Sequence, residues 1–219
     1  MKFRRVQAQF AFVGGLPRDS VVKLARSMSV DRGEGPMHAA ALLAGLRDTT
    51  GLLRAIRFVD SLRQRGMPPQ APPIAREFLT YLTAQQRAYL ALARGDSAEA
   101  LRLFDALPDS ACFGACHMDD LVHIQLLAAR KDRLADAAAR LERPLGGFIP
   151  GLLPVEVLRA LERGRVNERL GNRERAIEGY ALVVKAWRHA DPELQGYVDE
   201  ARAALRRLSA EKASSAASQ

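Results

Sequence analysis

Four side chains able to hold a metal or shuttle electrons crowd one short stretch: Cys112, Cys116, His117 and His123. Two thiolates and two imidazoles form the donor set of a tetrahedral zinc site. The spacing argues against it, because no distant second cysteine pair exists and His123 falls on a different helix face from His117. Covalent haem fares no better, since one residue too many separates Cys112 from the Cys116-His117 pair. Thiol-redox chemistry needs two residues between the thiols beside a sheet, whereas here the gap is three and no sheet is expected. The residues therefore read best as two inert cysteines pinned in a loop between helices. Where the compartment oxidises, they close into a local Cys112–Cys116 disulfide. Asp119 and Asp120 beside His117 supply an acid/base set in principle. At a helix start their charges serve the helix dipole instead.

Other catalytic patterns fail to appear. The chain has no phosphate loop ending in Gly-Lys, no paired-histidine metalloprotease helix, no serine elbow and no dinucleotide glycine triplet. It is accordingly read as non-enzymatic, with no cofactor and no metal assigned. Arginine makes up 28 of the 33 basic residues, and the net charge is +8. Arg54, Arg57, Arg63 and Arg65 form one basic group, and Arg159, Arg163, Arg165, Arg169, Arg173 and Arg175 form a second. Glu156, Glu162, Glu168, Glu174 and Glu178 interleave with the second group at helical pairing distances, which reads as a solvated salt-bridge face rather than a phosphate track. Nucleic acid is therefore a minor alternative.

The elements that must position these residues are helical. Hydrophobic residues make up 48% of the chain, which excludes a disordered protein. Strand-type alternation is almost absent, and alanine and leucine dominate. No stretch reaches the roughly 18 apolar residues of a membrane helix. The apolar residues Phe3, Val6, Phe10 and Val13 form a helical stripe ended by Gly14-Gly15, in preference to a signal peptide interrupted by glutamines.

Helices are expected over 2–13, 19–28, 36–47 and 49–65, then a Pro-rich connector over 66–73. Further pairs follow over 74–94 with 97–107, 117–130 with 133–142, and 154–171 with 173–189. A closing helix is expected over 193–208. The chain thus divides into degenerate N-terminal hairpins over 1–65, the 66–73 connector, a repeat region over 74–208 and a flexible tail over 209–219.

The repeat region carries an internal signature. Gly171, Ala176 and Tyr180 echo Gly95, Ala100 and Phe104 about 76 residues upstream, or two periods of about 38. Glycine tolerates the turn, alanine permits close approach, and the aromatic supplies a knob one helical turn later. Lys131-Asp132, Ala137 and Leu141 make a weaker copy, and Asp48, Leu53 and Arg57 an eroded one.

These residues resemble the tetratricopeptide repeat, most closely over Ala160 to Pro192, where Gly164, Gly171, Ala176, Tyr180 and Pro192 fall near family positions. The match is moderate over 80–108. The departures are Asn167, where the family prefers an aromatic, and a longer inter-repeat spacing. The runs 168–180 and 186–195 are also similar to the repeat tails of bacterial serine/threonine kinases and related signalling proteins.

The resemblance implies an all-α solenoid of antiparallel helix pairs with a C-terminal capping helix, working as a protein-protein interaction scaffold. By the same resemblance, a protein or peptide partner would lie in a concave groove lined by Gln85, Tyr89, Arg165 and Arg169. The family's clamp for a terminal carboxylate is not matched, so a free C-terminal peptide is not the expected ligand. Cytoplasmic location is the default expectation, and an extracytoplasmic one would accompany an oxidised Cys112–Cys116 pair.

Overall fold

The computed structural model describes residues 2–31, 35–66, 70, 73–108, 116–144 and 152–217, with side chains described from Arg4 to Ala210. Those residues are all-α, and no strand occurs among them. The helices are α1 (Lys2–Phe12), α2 (Arg18–Met28), α3 (Gly35–Gly45), α4 (Thr49–Gln64), α5 (Pro73–Ala93), α6 (Ser97–Asp105), α7 (His117–Ala128), α8 (Leu134–Leu141), α9 (Pro154–Arg169), α10 (Arg173–Ala186) and α11 (Pro192–Ala217). A 3-10 turn at Lys131–Arg133 leads into α8. No helix among the described residues is long and apolar enough to cross a membrane.

The chain forms two compact units, one holding Leu16–His123 with Met1–Phe12 and Leu145–Pro150, the other holding Ile124–Pro144 and Gly151–Gln219 with Val13–Gly15. The division falls inside α7. The Pro-rich 66–73 stretch lies within the first unit.

In the first unit, α3 is buried along its length from Gly35 to Ala44. Its sequence is apolar all round except for His38, and a helix without a polar face must be enclosed. It packs against α1, α2, α4 and α5, while α5 also packs against α4 and α6. Met37, Val59, Tyr81, Leu82 and Cys116 form a core cluster, flanked by partly buried Phe58, Phe78, Leu79 and Leu107. In the second unit, α8 packs on α9, α9 on α10 and α10 on α11.

Three of the helix-to-helix joints share one hydrogen-bond pattern. The residue after the helix turns left-handed, at Arg47 (φ 55°), Gly95 (φ 84°) and Gly171 (φ 76°). Its N–H donates three residues back, to Ala44, Leu92 and Glu168 respectively, at 2.9 to 3.0 Å. The next N–H, of Asp48, Asp96 or Asn172, donates five residues back at 2.8 to 3.0 Å. This is a Schellman stop, which satisfies the last carbonyls of the helix. The same Asp or Asn then opens the following helix. Asp48 accepts from Gly51 N at 2.8 Å and Asp96 from Glu99 N at 3.0 Å, each as a side-chain N-cap.

This pattern moves the eroded first copy by one residue. Arg47, not Asp48, occupies the left-handed position, so the buried pair after it is Leu52 and half-buried Ile56, while Leu53 and Arg57 are exposed. The later copies keep their register, with Ala100, Phe104, Ala137, Leu141, Ala176 and Tyr180 all buried.

Two glycines let α9 and α10 approach closely in the second unit. A Cβ on Gly179 would lie 2.6 Å from the Gly164 nitrogen, and one on Gly164 would lie 2.6 Å from the Tyr180 ring. Helices α9 and α10 therefore meet backbone to backbone, with the tyrosine laid over the gap. At the C-terminal end, α11 continues past Leu208 to Ala217. The expected flexible tail over 209–219 is helical through Ala217, because an alanine-rich continuation with no Gly or Pro has nothing to stop it.

Candidate functional site

Tyr81, Gln85 and Tyr89 recur at every fourth position of α5 and so share one face. All three point at a single carboxylate in the first turn of α7. Asp119 accepts from the Tyr81 hydroxyl at 2.7 Å, the Tyr89 hydroxyl at 2.6 Å and Gln85 Nε2 at 2.9 Å. Gln85 Nε2 also donates to the Met37 carbonyl of α3 at 3.1 Å. Burial pushes the Asp119 carboxyl up, the hydrogen bonds from Tyr89, Gln85 and Tyr81 pull it back, and nearby Asp120 adds to the rise, leaving it at about 6. Burial, followed by the Asp119 charge, holds the Tyr89 hydroxyl well above its ordinary range.

This placement corrects the expected groove. Gln85 and Tyr89 are both 0% exposed. They are committed to Asp119 and cannot line an open surface. Asp119 likewise does more than favour a helix dipole, since it ties α7 to α5 and, through Gln85, to α3. The Tyr89 ring meets Phe104 edge-on at 5.2 Å, Phe104 stacks on His123 at 5.9 Å, and His123 Nε2 bonds Asp105 Oδ1 at 2.8 Å. A sequence signal for this cluster was present in the polar-tipped stripe on an otherwise apolar helix, which demands a buried partner.

The other two expected groove residues lie in the second unit. Arg165 donates to both oxygens of Glu200 at 2.6 Å and to Glu162 at 2.7 Å, and these bonds, that to Glu200 foremost, raise its pKa further. Arg169 donates to the Ala128 carbonyl at 2.6 Å, on the last residue of α7. Arg159 reaches the carbonyls of Arg140 and Arg143, Arg163 reaches Leu141 and Arg173 reaches Leu208. Arg159, Arg163 and Arg169 thus reach carbonyls at or just past the ends of α8 and α7, where a cation also meets the negative end of the dipole, while the Leu208 carbonyl lies inside α11.

The first basic group is different. Arg54, Arg57 and Arg63 of α4, with Arg76 and Arg87 of α5, are exposed, and no described residue pairs with their guanidinium groups. Arg63 and Arg76 line a cleft of about 240 Å³ between these helices, together with Leu79 and Thr80. Ile74, on the first turn of α5, is 45% exposed.

Cys116 is buried and disulfide-bonded. Cys112 lies outside the described residues, so the Cys112–Cys116 expectation falls partly outside them too. His117 and His123 are buried on α7, and no group of three or more His, Cys, Asp or Glu able to hold a metal occurs among the described residues. No family model, curated protein or solved structure matches the chain.

Proposed function

We propose that the chain is a non-enzymatic interaction scaffold whose hairpins stack in the manner of tetratricopeptide-like solenoids, with a protein or peptide as its ligand. The observation that carries the reading is the recurrence of one joint at 47–48, 95–96 and 171–172. In each, a left-handed residue and a shared Asp or Asn connect two successive helices that pack on each other. Repetition of one hairpin geometry builds surfaces for recognition rather than a single chemical centre. The fate of the polar residues supports the same reading, because Asp119, His123, Arg165 and Arg169 all serve internal contacts. A role in bacterial signalling or complex assembly belongs to this proposal through the kinase-tail resemblance alone.

The test is crosslinking capture followed by reconstitution with purified components. A stoichiometric complex between the chain and one purified protein, with micromolar or tighter affinity, is the expected result. Failure of every captured protein to rebind in purified form overturns the scaffold role.

A further inference from the structure

We infer that the Arg63–Arg76 cleft is a docking point for an acidic peptide segment of the partner, gripping side-chain carboxylates of Asp or Glu. This rests on the scaffold reading and names the chemistry of its ligand. Two arginines from different helices line one cleft, and neither guanidinium has a hydrogen-bond or ion-pair partner among the described residues. Arg165, Arg169 and Arg173 are spent on carboxylates or carbonyls, whereas Arg63 and Arg76 are unspent and share one concavity. A planar guanidinium matches a carboxylate bidentately. The surroundings strengthen the attraction: residues 46–94 hold Arg47, Arg54, Arg57, Arg63, Arg65, Arg76, Arg87 and Arg94 against Asp48, Asp60 and Glu77.

Three features favour a peptide over a phosphate chain. Leu79, packed against the core, gives the cleft an apolar wall, and Ile74 extends apolar surface along the same helix. A peptide with apolar neighbours to its acids would bury them there. The Thr80 hydroxyl spends its proton on the Arg76 carbonyl at 3.1 Å, which leaves Thr80 Oγ1 an acceptor. A peptide N–H can donate to it, whereas a phosphodiester carries no donor. Among the described residues no aromatic ring lines the cleft, so these residues supply no stacking platform of the kind single-strand nucleic-acid sites use.

The experiment uses the full chain and a fluorescein-labelled ten-residue peptide of alternating Glu and Leu with an amidated C-terminus, followed by anisotropy at low and moderate salt. Binding that weakens with salt, and at least tenfold weaker binding by the Arg63→Ala/Arg76→Ala double variant, is expected. Arg188→Ala/Arg206→Ala removes the same charge from the second unit, and unchanged binding there shows that the site rather than net charge is read. Both doubles replace exposed side chains, and an unchanged melting curve verifies their folding. Equal binding of a Gln-for-Glu peptide, or equal binding by the Arg63→Ala/Arg76→Ala variant, overturns the proposal. Tighter binding of an oligothymidine that displaces the peptide also overturns it, in favour of phosphate. Loss of peptide binding while a reconstituted protein complex persists sinks the cleft alone. Peptide binding without any protein complex sinks the scaffold reading instead.

Discussion

The Tyr89 hydroxyl donates to the Asp119 carboxylate across 2.6 Å, joining the C-terminal half of α5 to the first turn of α7 inside the core. With Tyr81 and Gln85 on the same acceptor, the carboxylate becomes the fixed point around which α3, α5 and α7 are registered.

Removing that acceptor strands the two buried tyrosine hydroxyls and leaves Gln85 Nε2 with the Met37 carbonyl alone. Asp119→Ala is expected to cost about 3 kcal/mol or more, since an unsatisfied buried group loses its full desolvation energy. Asp119→Asn keeps one acceptor oxygen and should cost less. Urea unfolding monitored by circular dichroism compares the two, and a smaller loss for alanine than for asparagine would contradict the network.

The raised Asp119 pKa gives stability a pH slope of definite sign. An unfolded Asp titrates near about 3.9, while the folded one titrates at about 6. Between those values the folded chain holds a proton that the unfolded chain has released. Its contribution therefore favours folding at the acidic end, declines as pH rises through the window, and is flat above it. Subtracting the Asp119→Asn unfolding free energies from those of the parent, from pH 4 to pH 8, should isolate a fall of about 2 kcal/mol. A difference that rises with pH would refute it.

The α9–α10 crossing admits no side chain. Gly179→Ala places a methyl against the Gly164 backbone, and the helices must separate, with an expected loss of about 1–3 kcal/mol. Gly164→Ala meets the Tyr180 ring instead, whose hydroxyl is held by Glu168 at 2.7 Å. Thermal melts of both variants are the measurement, and a gain in melting temperature for Gly179→Ala would dismiss the close packing.

Arg47 is the one described non-glycine residue with positive φ, at 55°. Giving the joint the residue its two counterparts have, by Arg47→Gly, is expected to stabilise by up to about 1 kcal/mol through relief of left-handed strain. Gly95→Ala should lose a similar amount for the opposite reason. Opposite signs in paired denaturation curves are the diagnostic, and matching signs would count against the common geometry.

Helix α11 covers α10, with Arg207 bonding Glu168 and Arg173 bonding the Leu208 carbonyl. Burial works to raise Glu168, but the bonds from Tyr180 and Arg207 outweigh it and lower its pKa. Deleting 193–219 uncovers Tyr180, Val183 and Trp187, and should cause aggregation on size-exclusion chromatography. A monodisperse truncated chain with the parent's melting temperature would show that α11 is dispensable.

Helix existence and type could be read from Gly95, Gly171, Asp96, Pro192 and the apolar stripes, because those signals act locally. The side-chain destinations could not. Gln85 and Tyr89 look like surface-capable residues until Asp119, far along the chain, is placed beside them. Arg165 and Arg169 look like ligand-binding cations until their partners on α9, α11 and α7 arrive. The solitary Arg47 turn was hidden for the opposite reason, since arginine carries no turn signal of its own and only the backbone reveals it.

At 48, 96 and 172 a single residue ends one helix and begins the next. Such a joint has no slack. One added residue would rotate the following helix by about 100° and swing its greasy stripe out to water. Length variation among descendants of this chain is therefore barred from these corners, and the phase of the second helix in each pair is locked to that of the first.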